Sequence, residues 1–158
     1  MELIVFIGLQ ASGKSSFYQQ KFATTHAHVS KDLLRNNRRP ASRQYQLIEE
    51  ALQGGCSVVI DNTNVTLEER AELIRVGRLY EATIIGYYFD SQVSQCLKRN
   101  RERVGKARVP DIAIFTTLKR LVRPAYREGF DRLFSVRLSE DGTFEIHDWI
   151  EDEISHGS

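Results

Sequence analysis

The chain has 158 residues, 41% of them hydrophobic and 27% charged, with three prolines and no low-complexity stretch; this composition and length suit one globular domain and exclude a disordered chain. No apolar run approaches the roughly 20 residues that a membrane span needs, and the N-terminus has neither a basic leader nor a small-residue cleavage site, so a cytoplasmic protein with no membrane partner is expected. The net charge of +1 hides an asymmetry that points to a surface facing a polyanion: eleven basic against four acidic side chains from Gln95 to Arg132, a second basic cluster of Lys31, Arg35, Arg38, Arg39 and Arg43, and seven acids with no lysine or arginine in the last twenty residues.

Glu2 to Ile7 is a short apolar run rich in β-branched residues, the pattern of a buried strand, and Gly8 to Gly13 is a loop. A helix is predicted from Lys14 to about Thr24, then a short strand at His28 to Ser30. Asp32 to Asn37 begins a helical pattern that Pro40 interrupts. Ala41 to Gln53 has apolar residues at helical spacing and is closed by Gly54-Gly55. Cys56 to Ile60 reads as a second buried strand, and Thr66-Leu67-Glu68-Glu69 as a capping box that opens a helix to about Tyr80. Ala82 to Phe89 is a third strong strand, Gln92 to Arg103 is helical, and Gly105 to Pro110 is a break. Asp111 to about Val122 is a further helix with Ile112, Phe115, Leu118 and Leu121 or Val122 on one face. Leu133 to Leu138 and Thr143 to Trp149 flank Glu140-Asp141-Gly142, a hairpin turn signal.

Strands alternating with helices imply an α/β fold with a central parallel sheet covered by helices on both faces. Neither a repeat nor a linker is visible, so residues 1–158 are expected to form a single domain with an acidic tail at about 150–158. Cys56 and Cys96 read as reduced thiols, buried or half-buried. The histidines His26, His28, His147 and His156 lack metal-ligand spacing and read as surface or incidental.

Gly8-Leu9-Gln10-Ala11-Ser12-Gly13-Lys14-Ser15 fits G-x-x-x-x-G-K-[ST], between a buried strand and a helix. The chemistry needs this spacing. Glycines let the loop amides turn inward around a β-phosphate, Lys14 sets an ammonium on the β- and γ-phosphates, and the Ser15 hydroxyl ligates Mg²⁺. The helix that follows aims its positive end at the same anion. The pattern therefore predicts ATP and Mg²⁺ as cofactors.

Other residues narrow the class. No Asn-Lys-x-Asp guanine reader is present, and Asp61 in Val58-Val59-Ile60-Asp61-Asn62-Thr63-Asn64 lacks the adjacent glutamate of a mechanical ATPase. This stretch is either a simple strand-to-helix turn or one that brings Asp61 near Ser15, where it holds a Mg²⁺-bound water or the acceptor loop. A kinase also needs a group to orient and deprotonate the acceptor hydroxyl. Asp32 in Ser30-Lys31-Asp32 is the candidate base, with Arg35 on the same face if a helical turn opens there. The bland alternative is an N-cap aspartate with a surface ion pair. Arg99 and Arg103 lie four apart on a helix ending at Gly105, where they form either one face of a lid, spanning about 98–115, or part of a solvated basic helix.

Taken together these residues resemble the kinase module of the polynucleotide 5′-kinases, both the phage type and the kinase half of kinase–phosphatase proteins. The matching pieces are Gly8 to Ser16, Ser30-Lys31-Asp32-x-x-Arg35, Val58 to Asn64, Arg99 to Arg103, Val109-Pro110-Asp111, and Arg123 to Phe130 with its Pro-x-x-x-Glu-Gly-Phe pattern. The resemblance implies a P-loop kinase fold with a helical arginine-bearing lid, and transfer of the γ-phosphate of ATP to the 5′-hydroxyl end of DNA or RNA in nucleic-acid repair. It makes Lys14, Asp32 and Arg103 catalytic, with Asp32 as general base. Gly8, Gln10, Ala11, Ser12, Gly13, Lys14, Ser15, Ser16, Arg99 and Arg103 would bind ATP. Asp32, Arg35, Arg38 and Asp61 would bind the acceptor, and Ser15 and, through water, Asp61 would hold the metal. Lys31 departs from the arginine often found at its position, and extra basic residues around Val104 and Arg108 leave the register of the lid open. Ser139-Glu140-Asp141-Gly142-Thr143 has a serine where a phosphatase nucleophile would need aspartate, so it reads as a hairpin turn. Two other readings stay open: a small-molecule P-loop kinase acting on a nucleoside, sugar or UDP-sugar, and a nucleotide-binding regulatory module with little turnover.

Overall fold

Side-chain alternation along β1 (Glu2–Ile7) sets the two sides of the sheet. In the computed structural model, which describes residues 1–151, Leu3, Val5 and Ile7 enter one apolar cluster, while Ile4 and Phe6 enter another on the opposite face. The remaining elements follow in order: α1 (Lys14–Lys21), β2 (Ala27–Val29), α2 (Pro40–Gln53), β3 (Val58–Ile60), α3 (Leu67–Leu79), β4 (Thr83–Phe89), α4 (Val93–Glu102), α5 (Asp111–Arg120), β5 (Arg132–Leu138) and β6 (Phe144–Asp148). The strand order is β2-β3-β1-β4-β5-β6. β1 to β5 run parallel, and β6 pairs antiparallel with β5 through the expected hairpin. Helices α2 and α3 cover the first face through Ile48, Leu52, Leu73 and Val76, and α1 covers the second through Phe17 and Tyr18. This is the helix-covered α/β sheet that the strand–helix alternation predicts. Its ligand crevice lies at the carboxyl ends of the strands, where Gly8 follows β1 and Asp61 follows β3.

Several local expectations give way to tertiary context. Pro40 does not interrupt a helix but begins α2, where its fixed φ and missing N–H are tolerated. The preceding Lys31–Leu34 forms a separate 3₁₀ turn capped by Ser30. In the Thr66 cap the hydroxyl accepts from the Glu69 amide at 3.2 Å, as expected, but the Glu69 carboxylate takes the proton of that hydroxyl at 2.9 Å instead of reaching the backbone. Cys96 is buried, whereas Cys56 is exposed, because the Gly54-Gly55 turn holds it outside β3. The apolar stripe of α5 faces outward: Ile112 is 70% exposed, while Ile114 and Thr117 face in. Ile114 meets Leu9 and Cys96 in a third cluster that seats α4 and α5 against the loop after β1. Residues 152–158, which hold His156 and most of the expected acidic tail, lie outside the described residues. No helix among the described residues is long and apolar enough to cross a membrane.

One buried ion pair ties the carboxyl-end loops together. Arg70 is fully buried, and its guanidinium donates to both oxygens of Glu128 at 2.8 and 3.2 Å and to the carbonyl of Asn64 at 3.0 Å. Glu128 also accepts from the Ala125 amide at 2.9 Å, so it closes its own turn. Removing one partner of such a pair strands a charge, which is worse than removing both. Arg70→Met is therefore expected to cost about 3–5 kcal/mol in urea unfolding. Adding Glu128→Leu to it should recover part of the loss, and equal stability of the single and double variants would contradict this account.

Candidate active site

The loop after β1 wraps into a cradle. The Gly8 amide donates to the Thr63 carbonyl at 3.0 Å, and a Cβ at Gly8 would sit 2.9 Å from that of Phe89, so only glycine fits. Ala11 and Gly13 have φ of 61° and 98°, in the left-handed region that turns successive amides inward. α1 starts at Lys14 and points its free amides into the loop. The Lys14 ammonium lies inside the cradle, 3.1 Å from the Gly8 carbonyl and 2.5 Å from that of Leu9. Burial pushes its pKa down to about 8, against the raising influence of Asp61.

The turn after β3 reaches the cradle from the neighbouring strand. Ser15 donates its hydroxyl proton to Asp61 Oδ2 at 2.8 Å, and His28 Nε2 lies 2.8 Å from the same oxygen. Asn62 accepts from the Lys31 amide at 2.9 Å and donates to Gln44 at 2.7 Å. That contact fixes the 3₁₀ turn on which Asp32 sits, with the Asp32 amide donating to the Ser30 hydroxyl at 3.2 Å. Arg35 comes within 3.4 Å of Asp32, whose side chain remains 82% exposed. Lys14, Ser15, Asp32, Arg35, Asp61 and Arg103 line one hollow of about 290 Å³. Gln10 and Ala11 line it too. Arg38 does not: it lines a separate, more open basic hollow with Arg39 and Arg43. Ser16 is exposed beside the cradle and does not line the hollow.

Arg99 and Arg103 do not form one helical face. α4 ends at Glu102, and Arg103 is extended, with φ −75° and ψ 151°. The cause is Asn100, a buried residue to which the sequence reading gave no role. Its amide donates to the Val109 carbonyl at 2.7 Å and its oxygen accepts from the Val109 amide at 3.0 Å. The 103–109 loop is thereby folded back on the helix end. Arg103 is directed to the hollow with Asp32, while Arg99 donates to the Ala11 carbonyl at 3.3 Å and lines a hollow of about 580 Å³ between α4 and the β5–β6 turn. Gln10 links the cradle to α5 through Thr117 at 2.9 Å, and its side-chain oxygen is sealed without a partner. The Ser139–Thr143 stretch closes the β5–β6 hairpin, with Ser139 donating its amide to Thr143 at 2.8 Å.

Among the described residues no three or more His, Cys, Asp or Glu gather as a metal centre. The convergent oxygens of Ser15 and Asp61 nevertheless suit Mg²⁺, a hard cation that takes one or two protein ligands and completes its shell with water and phosphate.

Residues 3–124 match the model of an AAA domain family, AAA_33. The chain belongs to this family. The AAA_33 chain is 30% identical over 139 residues to a bifunctional polynucleotide phosphatase/kinase of Schizosaccharomyces pombe, covering 85% of this chain and 33% of that one. It is 26% identical over 144 residues to L-seryl-tRNA(Sec) kinase of Methanococcus maripaludis, covering 82% of this chain and 56% of that one. It thus spans from a third to about half the length of these relatives. A crystal structure of Chaetomium thermophilum Kti12 in complex with ADP-AlF3 superposes with a TM-score of 0.68 at 17% identity, over 88% of this chain and 92% of that one, which shows the fold. The AAA_33 chain carries the P-loop pattern from Gly8 to Ser15, folded as a cradle between β1 and α1.

The depressed pKa of Lys14 has a measurable sign. Its ammonium is the form that binds phosphate, and above about pH 8 the buried amine is increasingly neutral. ADP affinity should therefore fall as pH rises through about 8, and binding should take up protons there. Calorimetry at pH 8.5 in buffers of different ionisation enthalpy would detect that uptake. A binding enthalpy independent of buffer would contradict it.

Proposed function

We propose that the chain transfers the γ-phosphate of ATP to the 5′-hydroxyl end of a nucleic acid strand. The observation that carries this reading is the Asp32–Arg35 pair, 3.4 Å apart, on the lip of the hollow that Lys14, Ser15 and Arg103 also line. A carboxylate that is 82% exposed is free to accept a proton from an incoming hydroxyl, and the guanidinium beside it suits a phosphate on the same acceptor. The two relatives named above, a polynucleotide phosphatase/kinase and a seryl-tRNA kinase, carry a nucleic acid in their names, and the basic excess from Gln95 to Arg132 is of the same character.

In this reading the acceptor oxygen forms a bond to the γ-phosphorus as the bond to the ADP oxygen breaks, and the hydroxyl proton passes to Asp32. Lys14 holds the β- and γ-phosphates from inside the cradle, and Arg103 offsets the charge that spreads over the transferring group. Ser15 and, through water, Asp61 would hold Mg²⁺, whose charge would further offset that of the phosphates. Arg99, on the far side of the loop, serves the nucleotide: the hollow it lines with Leu138 and Gly142 suits the nucleoside. Arg38 would extend the acceptor's path beyond Arg35.

The test is label transfer from γ-labelled ATP to short 5′-OH oligonucleotides of DNA and of RNA. Asp32→Asn should lower turnover by about a hundredfold or more while leaving ADP affinity near wild type. Arg35→Gln should raise the acceptor KM more than it lowers kcat. Label passing to a nucleoside or sugar but to neither strand would overturn the nucleic-acid acceptor in favour of a small molecule. Undiminished transfer by Asp32→Asn would remove the base.

A further inference from the structure

We propose that His28 is a positioning residue: it clamps one oxygen of Asp61 so that the other stays directed to the cation site. This inference rests on the reading that Ser15 and Asp61 hold a divalent cation.

Asp61 is almost sealed from solvent, with 3% of its side chain exposed, yet its two oxygens are used unequally. Oδ2 lies 2.8 Å from both Ser15 Oγ and His28 Nε2. Oδ1 has no hydrogen-bond partner among the described residues, and it is not one of the sealed, unsatisfied polar atoms. A carboxylate oxygen accepts about two hydrogen bonds, so Oδ2 is saturated and Oδ1 is the oxygen left for a ligand. A carboxylate only accepts, which assigns the His28 proton to Nε2. Ser15, by donating its proton to Asp61, keeps its own lone pairs for a cation.

The imidazole is held firmly enough to act as a clamp. His28 lies on β2 in register with Val59, two residues before Asp61 on the adjacent strand. Its ring stacks on Tyr18 with centroids 3.9 Å apart and planes 15° from parallel. Tyr18 is itself fixed, since its hydroxyl donates to the His26 carbonyl at 2.6 Å. Backbone register and ring stacking therefore set the direction of the Nε2–H. Without it, Asp61 would keep only the Ser15 hydroxyl, which is also the group asked to turn toward the metal. Partners of this outer kind orient the groups that bind a metal.

Two variants separate the donor from the packing. His28→Phe keeps a flat ring on Tyr18 and removes the N–H, whereas His28→Gln keeps an N–H of similar reach and removes the ring. Mn²⁺ binding to each protein with saturating ADP and no acceptor, followed by electron paramagnetic resonance, reads the site without turnover. The Phe variant should bind Mn²⁺ about tenfold more weakly or worse, the lower end of the loss seen when an outer-shell partner is removed. The Gln variant should stay near wild type, and ADP affinity without metal should be unchanged in both.

Wild-type Mn²⁺ affinity in the Phe variant would overturn the proposal while leaving the cation site standing. A Gln variant as weak as the Phe variant, or a loss of metal-free ADP binding, would overturn it in favour of a packing role. Wild-type protein that binds ADP but no Mn²⁺ would remove the cation reading and this inference with it.

Discussion

The carboxylate of Asp61 receives two hydrogen bonds on one oxygen, from Ser15 and from His28, and with that contact the turn after β3 takes hold of the nucleotide cradle. Each of the next three residues ties down another part of the site. Asn62 fixes the backbone on which Asp32 sits, Thr63 accepts from Gly8 at the mouth of the cradle, and Asn64 donates to the Phe6 carbonyl at the end of β1. Asn64 has φ 46°, a backbone state that a non-glycine residue holds only when its surroundings compensate. The compensation comes from the Asn64 side chain and from Arg70, which binds the Asn64 carbonyl and is neutralised by Glu128 from a distant part of the chain. Four residues in sequence therefore set the geometry between phosphate loop, candidate base and sheet.

Positive charge is distributed around that frame by direction. Lys14 lies inside the cradle, Arg103 faces the hollow with Asp32 and Arg35, and Arg99 braces the outside of the loop. The division follows from where α4 stops. Asn100, buried and bonded twice to Val109, folds the 103–109 loop back, so that two arginines four apart in sequence serve different sides of the loop. Many other basic residues of this region, among them Lys106, Arg108 and Lys119, remain exposed, so the basic excess of the segment lies on the surface. The cradle and α5 are also joined directly, through Gln10 and Thr117, so the segment above the loop is seated by a polar contact as well as by the Leu9–Cys96–Ile114 cluster.

The sheet and the cradle were legible in the sequence because both are written in local patterns. Apolar β-branched runs mark β1, β3 and β4, and glycines at fixed spacing before a lysine and a serine mark the loop whatever surrounds it. The same logic failed where a residue's role is set by a neighbour distant in sequence. His28 carries no signal of its own, since a lone histidine on a short strand looks like any other. Its partner is thirty-three positions away and meets it only because β2 lies beside β3. The apolar face of α5 misled for a related reason: periodicity marks a stripe but not whether the stripe is covered, and here Ile112 and Phe115 face solvent while Ile114 faces the loop.

By itself the sequence determined the alternating α/β order, the phosphate cradle, the candidate base with its arginine and the uneven spread of charge, since each rests on residue type and on spacing within one or two turns of chain. Only the tertiary structure decided which side of the loop Arg99 and Arg103 each face, which oxygen of Asp61 is free, and that Arg70 and Glu128 belong together. Those outcomes depend on contacts that exist only after parallel strands have been brought side by side, because parallel pairing joins residues whose separation along the chain carries no local periodicity to read.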